Sequence, residues 1–82
     1  MTIEARFNSS FIAGKLRDGA YEIPEGTTVA EFMELAQNEA GHELTEEQKE
    51  NCVFIFNNSP VFHETKINES GKLRIMHKIL GG

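Results

Sequence analysis

The residues with the most distinctive chemistry stand at the end of the 82-residue sequence, where Gly81-Gly82 follow the run Lys72-Leu-Arg-Ile-Met-His-Lys-Ile-Leu80. Two terminal glycines arise by chance in about one chain in 200, given glycine at roughly 7% of average composition. Lacking Cβ atoms, they leave the Gly82 carboxyl carbon unshielded and let the chain end thread a narrow slot. What this offers chemically is an unusually accessible terminal carboxylate on Gly82. The competing reading is a frayed terminus or an expression scar, of no chemical use.

The other reactive side chains point to little. A single cysteine, Cys52, forms no intramolecular disulfide and alone holds neither zinc nor an iron–sulfur cluster. It sits in an apolar run, Cys52-Val-Phe-Ile-Phe56, where a small core residue is the ordinary role. His42, His63 and His77 show no metal-ligand spacing, so no metal site is expected. No glycine-rich phosphate loop occurs, and no carboxylate pair stands out among thirteen acids. The chain is therefore expected not to be an enzyme and to bind no cofactor of its own.

Charge is distributed unevenly. The net charge is −5, and residues 31–50 carry seven acids against Lys49 alone, whereas the remainder has six acids against seven basic residues. One flank should be acidic and the strands neutral to basic, a poor design for general nucleic-acid binding. No apolar run is long enough to span a membrane, and Met1-Thr-Ile-Glu-Ala-Arg6 lacks the layout of a signal peptide. The expectation is a cytoplasmic protein, monomeric when free, without a nucleic-acid or membrane partner.

Alternating residues in Thr2–Phe7 predict a strand that buries Ile3, Ala5 and Phe7. An irregular loop follows, in which Phe11, Ile12 and Leu16 cover a core edge, and a second strand spans Ala20–Ile23 with Tyr21 and Ile23 inward. Thr28 with Glu31 three residues on forms a capping box. Val29, Phe32, Met33, Ala36 and Ala40 then make a helical apolar stripe that Gly41 ends. His42–Asn51 reads as a loop with a helical turn near Thr45–Glu50. A third strand covers Cys52–Asn57, with Phe54 and Phe56 inward and Val53 and Ile55 outward. Asn57-Asn-Ser-Pro60 is a tight turn, Val61-Phe62 a short strand, and Leu73–Ile79 the last strand.

That order predicts an α+β chain: a β-grasp, or ubiquitin-like, roll. A mixed four- or five-stranded sheet is crossed on one face by one main helix, with the first and last strands central and parallel. Residues 1–82 should form one such domain, with 79–82 as an exposed flexible C-terminal tail.

Three stretches resemble the ubiquitin-like sulfur-carrier family. This family includes the molybdopterin synthase small subunit, the thiamine-biosynthesis sulfur carrier and a related modifier that thiolates transfer RNA. The stretches are Ile23-Pro-Glu-Gly-Thr-Thr-Val-Ala-Glu-Phe-Met-Glu-Leu35, Val53-Phe-Ile-Phe-Asn-Asn-Ser-Pro-Val61 and Glu69-Ser-Gly-Lys-Leu-Arg-Ile-Met-His-Lys-Ile-Leu-Gly-Gly82. Two departures leave the receiving pathway open. His77-Lys78 replaces the two prolines usual in the molybdopterin branch, and the thiamine branch is usually shorter between its first two strands.

The resemblance implies that an adenylating partner uses ATP and Mg²⁺ to activate the Gly82 carboxylate. A sulfur donor then leaves a thiocarboxylate there, for transfer by an acceptor enzyme in molybdopterin, thiamine or other metabolite biosynthesis. Gly81 and Gly82 are the site, and the protein is substrate and carrier. If Leu73 and Ile75 face the helix, then Arg74, Met76 and Lys78 face outward beside Val53 and Ile55. The expected partner-docking surface is Val53, Ile55 and Met76, with Arg74, Lys78 and Leu80 and a basic rim that includes Arg6 and Lys72. Two alternatives stay open: a ubiquitin-like modifier conjugated through Gly82, and a plain β-grasp interaction module with an inert tail.

Overall fold

The alternation at the N-terminus becomes strand β1 (Thr2–Phe7), in which Ile3, Ala5 and Phe7 are buried and the residues between them are exposed. The structure is a computed structural model and describes residues 1–9 and 12–78. β1 pairs in antiparallel fashion with β2 (Gly19–Glu22) and in parallel with the last strand, β7 (Gly71–His77). On the other side of β7 lie β4 (Cys52–Phe56) and then β5 (Ser59–Val61), both antiparallel to their neighbours. The result is a five-stranded mixed sheet in the order β2-β1-β7-β4-β5.

Helix α1 (Val29–Ala40) crosses one face of this sheet. Its start is set by Thr28, whose hydroxyl accepts the Glu31 N–H at 3.1 Å, while the Glu31 carboxylate accepts the Thr28 N–H at 2.9 Å. Such a cap contributes about 1 kcal/mol. The Thr28 hydrogen bonds hold the Glu31 carboxyl below its ordinary range. Gly41 ends the helix at φ 65°, and its N–H and that of His42 bond back to the carbonyls of Asn38 and Gln37. That pair of bonds is a Schellman closure, which needs a residue tolerant of positive φ. Val29, Phe32, Met33 and Ala36 face the sheet and pack with Ile3, Tyr21, Phe54, Leu73 and Ile75 in the core. The Phe32 ring meets the edge of Tyr21 at 5.0 Å between centroids.

The loop after β1 covers the core edge, as its apolar residues lead one to expect: Ile12 and Leu16 are buried. It is tied down at Arg17, which lies 4.1 Å over the Tyr21 ring and bonds the Glu39 carboxylate near the end of α1 at 2.9 Å. Phe11 lies outside the described residues.

Several elements differ from the sequence-based expectation. Ala40 is exposed, and the last inward position of α1 is Gln37. Its Nε2 donates to the Met33 carbonyl at 3.0 Å and its Oε1 accepts the Leu44 N–H at 2.8 Å. This polar residue is affordable in the interior because both ends of its amide are used. The bond draws Leu44 into the core ahead of α2 (Glu46–Glu50), which carries a second capping box at Thr45 and Gln48. Phe56 is half-buried and packs at the core margin. The hairpin turn is narrower than expected, being the pair Asn57-Asn58 at φ 49° and 69°. Ser59 and Pro60 consequently belong to β5, which ends before Phe62. A two-stranded ladder of β3 (Thr27–Thr28) with β6 (Lys66–Ile67) completes the fold and was not expected from sequence. The last strand ends at His77; Ile79 lies outside the described residues.

Candidate docking face and the exit of the chain end

The sheet face away from α1 carries the outward residues of all five strands. Its register is fixed by the buried set beneath it, because shifting a strand by one residue would turn every side chain over. Cys52 and Phe54 in β4, and Leu73 and Ile75 in β7, are all buried on the helix side. Val53 and Ile55 therefore point outward with Lys72, Arg74 and Met76, as the alternation predicts. Val53 stands directly opposite Met76, and Ile55 is flanked by Arg74 on β7 and Pro60 on β5. Val53 and Met76 are each 37% exposed, and Ile55 is half-buried between its neighbours.

The basic side of this face follows from the parallel pairing. Arg6 stands opposite Arg74, and Glu4 opposite Lys72. Together with Ile55 these residues border a shallow depression of about 660 Å³. The ion pairs among the described residues are Met1–Glu22, Arg17–Glu39 and Lys49–Glu46. None of them involves Arg6, Lys72 or Arg74.

The β4–β5 hairpin is locked onto β7 at the far end of the depression. Positive φ at both turn residues is the type I′ geometry, which matches strand twist and suits asparagine. Asn57 donates its N–H to the Lys72 carbonyl and accepts the Lys72 N–H on its side-chain oxygen, both at 2.9 Å. The space is available because residue 71 is glycine; a Cβ there would collide with the Asn57 carboxamide.

Neither sheet edge beside this face is open for strand addition along its whole length. Phe56 and Ser59 close a two-residue hairpin, so the next pair, Ile55 and Pro60, is the non-hydrogen-bonded one. Pro60 thus lacks an N–H at the position where it would point off the edge. On the opposite edge, Arg17 donates to the Ala20 carbonyl at 3.1 Å.

The chain leaves the sheet beside α2. Lys78 is exposed, and its N–H bonds the carbonyl of Asn51, the C-cap of α2, at 2.7 Å. His77 stands opposite Cys52. Leu80, Gly81 and Gly82 lie outside the described residues.

On the helix side, a groove of about 600 Å³ between α1 and β4 brings His42 and His63 to one place, with Cys52 and Lys49. The described residues contain no group of histidine, cysteine and acidic side chains able to hold a metal ion. His63 packs edge-on against Phe54 at 4.9 Å. The Cys52 thiol is buried and donates to the Gln48 carbonyl, and burial pushes its pKa up, which is the opposite of activation. Sequence reasoning did not place Pro60 on the open sheet face, although period-two counting from a two-residue turn sets it opposite Ile55. It also missed Phe62, 64% exposed just beyond β5. Among the described residues no helix is long and apolar enough to cross a membrane.

No protein-family model and no curated protein sequence matches the chain. Among solved structures, the crystal structure of SAMP1 from Haloferax volcanii is similar over the full length of both chains, with a TM-score of 0.67 and 13% sequence identity. At that identity the likeness is one of fold. With a mixed five-stranded sheet, central parallel β1 and β7, and one main helix across one face, the chain adopts the ubiquitin-like β-grasp fold.

Proposed function

We propose that the protein is a small sulfur carrier whose Gly82 carboxylate is activated by an adenylating partner while the open sheet face is docked on that partner. The observation that carries this reading is the course of β7. It presents Arg74 and Met76 on the open face and runs on to Lys78, which is still pinned to Asn51. Counted from Lys78, five residues reach about 17 Å when extended. That length suffices for Gly82 to enter a neighbouring active site while the folded body stays outside. The buried Cys52 thiol, its pKa raised by burial, offers no competing nucleophile.

The cycle places the chemistry in the partners. Attack of a Gly82 carboxylate oxygen on the α-phosphorus of Mg²⁺-bound ATP releases pyrophosphate and leaves an acyl-adenylate. A sulfur donor then displaces AMP to give the thiocarboxylate, which an acceptor enzyme consumes. The carrier acts in the cytoplasm and is monomeric when free. Its own contributions are an unhindered carbonyl carbon and a docking face made of Val53, Ile55, Met76, Arg74 and Lys78, continued by Leu80. A modifier conjugated to lysines through Gly82 would share the adenylation step, and the ubiquitin-like fold supports that reading equally well.

Intact-protein mass spectrometry after expression with the neighbouring genes tests the proposal. Oxygen-to-sulfur exchange at the C-terminus is the expected result. Lysine adducts on other proteins would favour the modifier. An unmodified chain under every condition would leave an interaction module with an inert tail.

A further inference from the structure

We infer that the partner seated on the open face presents carboxylate side chains to the Arg6–Arg74 pair. The inference rests on the docking role proposed above, and it adds the chemistry of the surface that docks. Arg6 and Arg74 stand opposite one another on adjacent parallel strands, both exposed on the same face, with Lys72 two residues along β7. Side chains so placed emerge about 5 Å apart, and like charges in direct opposition destabilise a sheet.

The chain does not lack acids to relieve this, since it holds thirteen against eight basic residues. Arg17 and Lys49 each have a carboxylate within ion-pair distance. Arg6, Lys72 and Arg74 have none among the described residues, although Glu4 stands opposite Lys72 in the register. Asp18, near the end of β1, is already engaged by the Phe7 N–H at 2.8 Å. The seven acids of residues 31–50 belong to α1, α2 and the segment joining them, away from this face. The free protein thus sets Arg6, Lys72 and Arg74 around one carboxylate, Glu4, which is within ion-pair distance of none of them, and a bound carboxylate would relieve the excess positive charge. Two guanidinium forks side by side suit a carboxylate, which each can grip through two N–H groups.

The surroundings select the source of that carboxylate. Ile55 abuts Arg74, and beyond it lies the Val53–Met76 pair. A surface with acidic side chains next to apolar ones covers both parts. A nucleic-acid backbone covers only the charged part and leaves the Val53–Met76 pair without an apolar partner.

The test is a titration of the ¹⁵N-labelled full chain, followed by amide shifts in 50 mM NaCl. The probes are a synthetic peptide of alternating Asp and Leu, its Lys–Leu counterpart, inorganic phosphate and an RNA oligonucleotide of the same charge as the acidic peptide. Saturable shifts at Arg6, Ile55, Lys72 and Arg74 with the acidic peptide alone are expected. They should weaken at least fivefold in the R6Q/R74Q variant and be unchanged in K66Q, which alters a lysine on β6. Equal binding by R6Q/R74Q, no saturation with the acidic peptide, or tighter binding of RNA or phosphate at these residues would overturn the inference. The titration uses no chemistry at Gly82. An unreactive chain end in the mass-spectrometric experiment therefore leaves this result standing, and an unresponsive arginine pair leaves the reading of Gly82 standing.

Discussion

Replacing Gln37 should unfasten the segment that supports the exit of the chain end. Its side chain is buried, and its Oε1 is the acceptor for the Leu44 N–H, which carries Leu44 into the core ahead of α2. In Gln37→Ala that N–H is left without its partner, at a cost of about 1–3 kcal/mol. The bond from Nε2 to Met33 is lost as well, but the Met33 carbonyl keeps its helical partner, so this adds about 0.5 kcal/mol. Removing one buried methylene adds about 0.8 kcal/mol, and the better helix propensity of alanine returns about 0.4 kcal/mol. The net loss is about 2–4 kcal/mol, a large share of the total for a domain of this size. Urea unfolding followed by circular dichroism should show the loss, and thermal unfolding a midpoint lower by about 10 °C or more. Gln37→Leu keeps the volume but neither bond, and should lose about 2 kcal/mol with faster hydrogen exchange at the Leu44 amide. A Gln37→Leu protein within about 0.5 kcal/mol of the parent, with Leu44 still protected, would refute the reasoning.

Four further outcomes are expected. Ile55→Asp should cost only about 1 kcal/mol of stability, because Ile55 is half-buried and the new carboxylate faces Arg74. Under the proposed carrier role, activation of Gly82 by an adenylating partner, read by mass spectrometry, should drop about 30-fold or more; an undiminished rate would remove Ile55 from the proposed docking face. Gly71→Ala should displace the Asn57 carboxamide from the Lys72 N–H, lowering stability by about 1–2 kcal/mol in the same urea assay. In the turn, Asn58→Gly should be neutral or stabilising, whereas Asn58→Val, forced to positive φ, should lose about 1–2 kcal/mol. At alkaline pH, Cys52 and Tyr21 should both contribute to unfolding, because burial raises both pKa values above their ordinary values of 9.0 and 10.0. A raised acid stabilises fully below the unfolded pKa, and that contribution is lost as pH rises through the folded one. A urea midpoint that stays flat above pH 9 would contradict it, as would native-state alkylation of Cys52 by iodoacetamide as fast as in urea.

The features legible from the sequence are those that a short stretch of chain decides. Thr28 and Glu31 close the capping box, and Gly41 makes the left-handed turn, within one helical turn of their partners. The alternation in Thr2–Phe7 and around Phe54 follows from the two-residue period of a strand, so the inward and outward sets were readable before any partner strand was known. Even the adjacency of Val53 to Met76 followed once the fold class was in hand. Gln37 was not legible in the same way. Its position on the apolar stripe could be counted, but the choice of glutamine is explained by the Leu44 amide, seven residues away across a left-handed turn. Nor was the two-residue ladder of β3 with β6, which is too short to carry a period and exists because the α1 start and residues 66–67 meet.

For the open sheet face, the sequence by itself determined which side chains of each strand are exposed, and that the acids gather between residues 31 and 50. Only the tertiary structure decided that Arg6 stands opposite Arg74 and that Pro60 extends the apolar strip next to Ile55. The physical reason is that pairing register belongs to no single strand. It is set jointly by the buried sets of β1, β7 and β4 against α1 and by the Asn57–Lys72 hydrogen bonds, among residues as far as 68 positions apart.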